Sequence, residues 1–188
     1  MYTREKVLEF LKEHLDPKRF GHSIRVMKTA ILLAKIYGVD EKKAEMAGLL
    51  HDSGKWKSRE LTLQKVKDWG IILSEEERIE YNLVHGSVSV YIAKNIFNIE
   101  DEDVLNAIKY HITGRESMST LEKIVYIADM IEPDRDYPGV EEFRKTAAKD
   151  LDQAMFDILN DNLRHLIEKK AFIAIDSLKA RNYYLRNH

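Results

Sequence analysis

The sequence contains no cysteine. Disulfides and thiolate metal sites are thereby excluded, and a metal held by this chain must rest on imidazole and carboxylate groups. Glycine and proline are scarce, 8 and 3 in 188 residues. Strand-like alternation is hard to find, whereas apolar residues recur at helical spacing nearly everywhere, which predicts an all-α chain. No stretch approaches the roughly 20 apolar residues of a membrane helix, so no membrane partner is expected. The charges of Arg4, Glu5 and Lys6 stand where a signal peptide has its apolar run. An excess of one charge sign is missing too: 30 Lys and Arg face 32 Asp and Glu, a net −2, and nothing in bulk calls for a nucleic acid partner. What remains is a single domain over 1–188, large enough for a full core and expected in the cytoplasm.

The helices can be placed by their ends. One is expected over Thr3–Leu15, with Val7, Leu8, Leu11 and Leu15 on one face. Asp16-Pro17 has the form of an N-cap with proline at the first helical position. The helix it opens carries His22 near its start and stops after Tyr37 at Gly38. Asp40 caps a third helix, which runs through Ala44, Ala47 and Leu50 into His51. A short helix is expected around Leu63–Trp69. Ser74 to Glu77 matches a capping box, and a helix near Asn82–Phe97 follows with His85 in its first turn. Asp101 opens a helix ending in His111. A second capping box at Ser119 to Glu122 starts the apolar helix Leu121–Ile131, which contains Asp129 and ends before Pro133. Further helices are expected around Val140–Ala148, Leu151–Glu168 and Ile175–Arg186.

Of the seven histidines, His22, His51, His85 and His111 start or end apolar helices, while His14, His165 and His188 fit solvated faces or the terminus. A single such histidine is more often a core or capping residue than a ligand. Asp129 is harder to dismiss, because a carboxylate on a buried face needs a cationic partner. An arginine meets that need for Asp129 alone; a metal meets it for Asp129 and several imidazoles together.

In this order, His22, His51-Asp52, His85, His111 and Asp129 resemble the HD-domain metal-dependent phosphohydrolases, named for the adjacent His-Asp pair. The resemblance implies an HD-domain helical bundle, with its metal-site core at about 18–132 and the helices of 140–188 completing it. It implies one metal on His22, His51, Asp52 and Asp129. His85 and His111 then serve a second metal or touch substrate phosphate. The stretches Ala47 to Lys55, His111-Ile112-Thr113-Gly114, Ile127 to Asp136 and Ala180-Arg181-Asn182-Tyr183 are similar to the bacterial YqeK family. That family consists of iron-dependent symmetrical diadenosine tetraphosphatases. Where it usually has Ile-His-Pro-x-Thr, this chain reads Ile173-Ala174-Ile175-Asp176-Ser177. The histidine and proline are gone and Ser177 keeps a hydroxyl.

The chemistry suits these residues. Phosphoric anhydrides resist hydrolysis because anionic oxygens repel a nucleophile, and a metal both screens them and acidifies bound water. Attack of metal-bound hydroxide on a central phosphorus, releasing a nucleoside diphosphate, is the mechanism the resemblance implies. It makes iron the expected ion, one or two per chain, with Mn, Ni or Zn also compatible with the ligands. His51, Asp52 and Lys55 are the expected catalytic residues. Ser53, Gly54, Lys55, His85, His111, Ile112, Arg135 and Ser177 are the expected contacts for a dinucleoside polyphosphate or a nucleoside diphosphate, and the resemblance admits a homodimer. Two other readings compete: an HD phosphohydrolase acting on another nucleotide, and a non-catalytic nucleotide-binding HD module. Tyr126, Tyr137 and Phe172 read as core packing.

Overall fold

In the computed structural model, residues 2–186 are described; Met1, Asn187 and His188, the last of the seven histidines, lie outside the described residues. The described chain is all-helical. Its α-helices are α1 (Arg4–His14), α2 (Pro17–Tyr37), α3 (Glu41–Leu50), α4 (Arg59–Asp68), α5 (Glu75–Ile79), α6 (Val84–Tyr91), α7 (Glu102–Tyr110), α8 (Thr120–Ile131), α9 (Val140–Ala147), α10 (Leu151–Glu168) and α11 (Ile175–Arg186).

Most boundaries follow from the caps. Asp16 accepts from the Arg19 amide at 2.9 Å with Pro17 in the first turn, and Gly38 ends α2 in the left-handed region at φ 68°. Both capping boxes are present, but they differ in what they start. The box at Ser119 opens α8 as expected. The box at Ser74 opens only the five-residue α5, and Glu80 then caps a separate turn through the Asn82 amide. The region expected as one helix over Asn82–Phe97 is therefore a 3-10 turn at Tyr81–Leu83, then α6, then a wide π turn at Ile92–Ile96. Helix α4 begins at Arg59, earlier than Leu63, because Ser58 caps it.

The centre of the bundle is α8, buried on nearly every side through Leu121, Ile124, Val125, Tyr126, Ile127, Ala128 and Ile131, as befits a helix apolar all round. Packed around it are α2, α3, α7, α9 and α10, with α6 on α7 and α11 on α10. Small residues let α2 and α3 approach closely: Ala30 and Ala34 of α2 and Ala44 and Ala47 of α3 are all buried in the core, and a Cβ added at Gly48 would stand 2.9 Å from the Met27 Cα and 3.3 Å from the Ala30 Cβ. The C-terminal helices share the same core through Ala147, Leu151, Ala154, Met155, Ile158, Leu159 and Ala180. Each large aliphatic side chain buried there stabilises the fold by about 1.5–3 kcal/mol. One buried carboxylate in α8, Glu122, is held by Arg115 at 2.7 and 2.8 Å and by the Ser119 amide at 2.6 Å.

Candidate metal centre

Five helices bring their polar residues to one point inside this apolar shell. His22 comes from α2, His51 from the end of α3, His85 from the first turn of α6, His111 from the end of α7 and Asp129 from the last turn of α8. Asp52 follows His51 and opens a tight turn in which the Lys55 amide bonds to the Asp52 carbonyl at 2.9 Å. The turn is set by close packing. A Cβ on Gly54 would lie 2.7 Å from the His85 carbonyl oxygen and 2.8 Å from the Ser89 nitrogen, and the Gly54 amide donates to the Ser89 hydroxyl at 2.8 Å.

Asp52 bridges the two ends of the cluster. Its Oδ1 faces His85 Nε2 at 3.2 Å and His111 Nε2 at 3.5 Å. Its Oδ2 faces His51 Nε2 at 3.7 Å and His22 Nε2 at 3.8 Å. Asp129 Oδ1 lies 2.9 Å from His22 Nε2 and 4.0 Å from His51 Nε2. Two triads, His22–His51–Asp129 and His51–Asp52–His111, each gather their ligand atoms within 4.8 Å of one another.

The proton positions make a cation the missing member. His51 Nδ1 lies 2.8 Å from the Gly48 carbonyl and His111 Nδ1 lies 2.6 Å from the Ile108 carbonyl. A carbonyl only accepts, so each Nδ1 carries the hydrogen and each Nε2 turns a lone pair toward the cluster. His22 Nδ1 is likewise tied to the Glu132 carboxylate at 3.1 Å. The Nε2 atoms of His22 and His51 are buried and hydrogen-bonded to nothing, while carboxylate oxygens stand beside them. Buried acceptors facing buried acceptors are costly unless a positive ion sits among them. The donor set therefore fits a divalent metal.

The protonation states agree with this. Burial pushes His51 down to about 3 and His85 down to about 4. Burial alone would raise Asp52, but His51 and the contacts of His111 and His85 hold it well below the usual carboxylate range. Asp129 is likewise lowered, burial being outweighed by His22 and His51. Neutral imidazoles and ionised carboxylates are the forms that bind metal.

The other expected contacts are distributed around this cluster. Lys55 Nζ is 3.9 Å from Asp52 Oδ1 with its side chain partly exposed. Arg135 bonds to Asp129 Oδ1 at 2.6 Å and to the Asp129 carbonyl at 2.8 Å. The arginine partner considered for Asp129 thus exists alongside the histidines. Ile112 and Ser177 do not touch the cluster; they line a neighbouring cavity of about 250 Å³ with Thr113, Tyr126 and Asn162. Ser53 and Gly54 are buried in the packed wall, and the Ser53 hydroxyl has no hydrogen-bond partner. His14, read as solvated, instead stacks on Phe10 at 4.1 Å.

Two residues outside the expected set complete the surroundings. Glu132 is almost wholly buried and binds His22, Arg25 Nε at 2.7 Å and the Asp134 amide at 2.8 Å. Arg19 donates NH1 to Asp52 Oδ2 at 2.7 Å. Both left a trace in the sequence. An acidic residue at the C-terminal end of an apolar helix opposes the helix dipole and asks for a partner. Arg19, His22 and Arg25 recur at a spacing of three, along one face of α2.

Comparison with known proteins places these features in a family. The HD-domain family profile matches residues 19–134. The symmetrical bis(5'-nucleosyl)-tetraphosphatase of Halalkalibacterium halodurans is 41% identical over 187 residues, covering 97% of each chain. The protein of the same description from Bacillus subtilis is 37% identical, covering 96% of this chain and 97% of its own. A crystal structure from Clostridium acetobutylicum, described as a predicted HD superfamily hydrolase involved in NAD metabolism, superposes with a TM-score of 0.93 at 41% identity, over 100% of both chains.

Proposed function

Because this chain belongs to the HD-domain family, we propose that it is a symmetrical bis(5'-nucleosyl)-tetraphosphatase, hydrolysing diadenosine tetraphosphate to two ADP. The relatives that bear this description match nearly the full length of the chain. The observation that carries the chemistry is the set of inward lone pairs on His22 and His51, buried beside Asp52 and Asp129 and hydrogen-bonded to nothing.

His22, His51, Asp52 and Asp129 would hold the metal, with His85 and His111 serving a second ion or a substrate phosphate. A divalent ion held there supplies charge neutralisation at the phosphoryl oxygens and a bound water whose pKa is lowered toward neutrality. Iron is the ion the family resemblance favours, and imidazole–carboxylate ligands suit it. The protein's own groups orient and neutralise. Glu132 fixes the His22 tautomer through Nδ1. Lys55 stands at the partly exposed rim of Asp52, where its ammonium can meet a phosphate as a point charge. Arg135 is bonded to Asp129 through Nε and one terminal nitrogen, which leaves its other terminal nitrogen to meet a phosphoryl oxygen. The largely apolar cavity lined by Ile112, Asn162, Phe172 and Ser177, reached from His111 through the next residue, Ile112, would take one nucleoside. Net reaction adds water across the central anhydride: one P–O bond breaks, one forms, and each product leaves as a nucleoside diphosphate. A nucleotide substrate also fits the expected cytoplasmic location.

The test is product analysis. Protein reconstituted anaerobically with iron is given diadenosine tetraphosphate. ADP as the sole nucleotide product is the expected result, while ATP with AMP would contradict symmetric cleavage. Bound metal without turnover would favour the non-catalytic module.

A further inference from the structure

Asp52 gives the cluster two ends, and each end meets a different cavity. At the His85–His111 end lies the cavity of about 250 Å³ that includes Ile112, Thr113 and Ser177. At the His22–Asp129 end lies a cleft of about 910 Å³ between the first turn of α2 and the loop at 132–137. Its cationic walls are Lys18, Arg19, Arg25 and Arg135, with His22 at its base. Asp16, Glu132, Asp134 and Asp136 line it too, so the cations must be sorted by what already holds them.

Arg25 is taken up by Glu132 at 2.7 Å and by Asp134 at 3.1 Å. Arg135 is bound twice to Asp129. Arg19 is different, since it contributes one nitrogen to a carboxylate that is already shared by four imidazoles. Lys18 is exposed and makes no ion pair among the described residues. We propose that this cleft binds the phosphates of the second nucleoside diphosphate half of the substrate, with Arg19 as the principal contact and Lys18 at the rim.

The inference rests on the reading of the protein as a dinucleoside tetraphosphatase. A substrate divided into equal halves has two identical polyphosphate arms, running from the cleavage position in opposite directions. The Ile112–Ser177 cavity would take the nucleoside of one half; the phosphates of the other half need cations on the far side of Asp52. Arg19 and Lys18 stand there. Arg19 now balances the charge of Asp52 through Oδ2; a cation held by Asp52 and the histidines would take over that charge, and like charges side by side repel. The guanidinium is then available to fork onto phosphate oxygens, the ligand its geometry matches best. Arg19 and His22 also share one face of α2, so phosphate contact and metal ligand are held in fixed register.

The test counts bound ADP on metal-loaded protein by equilibrium dialysis, alongside metal content and steady-state kinetics with diadenosine tetraphosphate. Wild-type protein is expected to bind two ADP per chain. Arg19→Gln should bind one, keep its metal, and raise KM at least tenfold; Arg19→Lys should recover part of the loss. Lys18→Gln changes an exposed side chain where folding is not at stake, and should weaken the second ADP several-fold. One ADP per chain in the wild type would overturn the proposal. So would two ADP in Arg19→Gln, or loss of metal from that variant, which would make Arg19 a support for Asp52. Two bound ADP without turnover of the tetraphosphate would leave the cleft standing and refute the proposed activity.

Discussion

Among single residues, Asp52 has the most partners, with four imidazoles, Arg19 and Lys55 within 4.0 Å of its oxygens. Asp52→Ala is expected to remove metal and activity together, checked by metal analysis and product assay; full activity in that variant would refute the assignment. Glu132 acts one step back. It touches His22 through Nδ1, and its charge raises the basicity of the nitrogen on the far side of the ring. Glu132→Gln keeps an acceptor and loses the charge, so metal affinity should fall about tenfold to a hundredfold. Competition against a chelator measures this, and an unchanged far-UV dichroism spectrum would show that the helices persist. Neither Glu132, though it falls within the stretch Ile127 to Asp136, nor Arg19 was among the site residues expected from the sequence. The six cluster residues were legible because histidines and an aspartate on apolar helices contradict burial. Glu132 and Arg19 stand at helix ends, where charged residues are ordinary, so the trace each left was weak and tertiary contact is what singles them out.

Among the elements, the decisive contact is the meeting of the α3 turn with α6 at Gly54. A methyl there meets the His85 carbonyl and the Val88 Cβ, both at 2.7 Å, and backbone cannot step aside as a flexible side chain can. Gly54→Ala is expected to cost about 1–3 kcal/mol, read from urea unfolding. It should also lower metal content, because the same displacement parts His51-Asp52 from His85. The helix boundaries were legible wherever a capping side chain precedes an apolar run, as at Asp16, Asp40, Asp101 and Ser119. They were misread between 74 and 97. There Glu80 competes for the chain locally, and a π turn admits one more residue per hydrogen bond than the α pattern allows. The tie from the Glu76 carboxylate to the Ile175 amide at 2.9 Å spans 99 positions of sequence, and no local pattern encodes it.

At the scale of the whole molecule, the buried cluster links stability to protons and to metal. In the metal-free protein His51 and His85 are held at about 3 and about 4, below the ordinary 6.5. Between those values the unfolded chain binds more protons than the folded one, so stability declines as pH falls from about 6.5 toward 3. The urea midpoint of metal-free protein should drop between pH 7 and pH 5; a flat midpoint would contradict the depressed histidines. Metal binding to the folded state alone should add about 2.7 kcal/mol at a hundredfold excess over Kd, seen as a rise in Tm that a chelator reverses. Part of the support for the site lies outside the stretch that matches the family. Arg144, on α9, donates to the carbonyls of Ile131, Glu132 and Arg135 at 2.8 to 2.9 Å, closing the end of α8 beyond the matched residues 19–134. A fragment trimmed to the matched segment would keep every proposed ligand yet lose Arg135 itself and the clamp on the loop that bears Glu132. The boundary of the motif and the boundary of the working unit are therefore different, and a graft of this centre into another scaffold has to carry α9 with it.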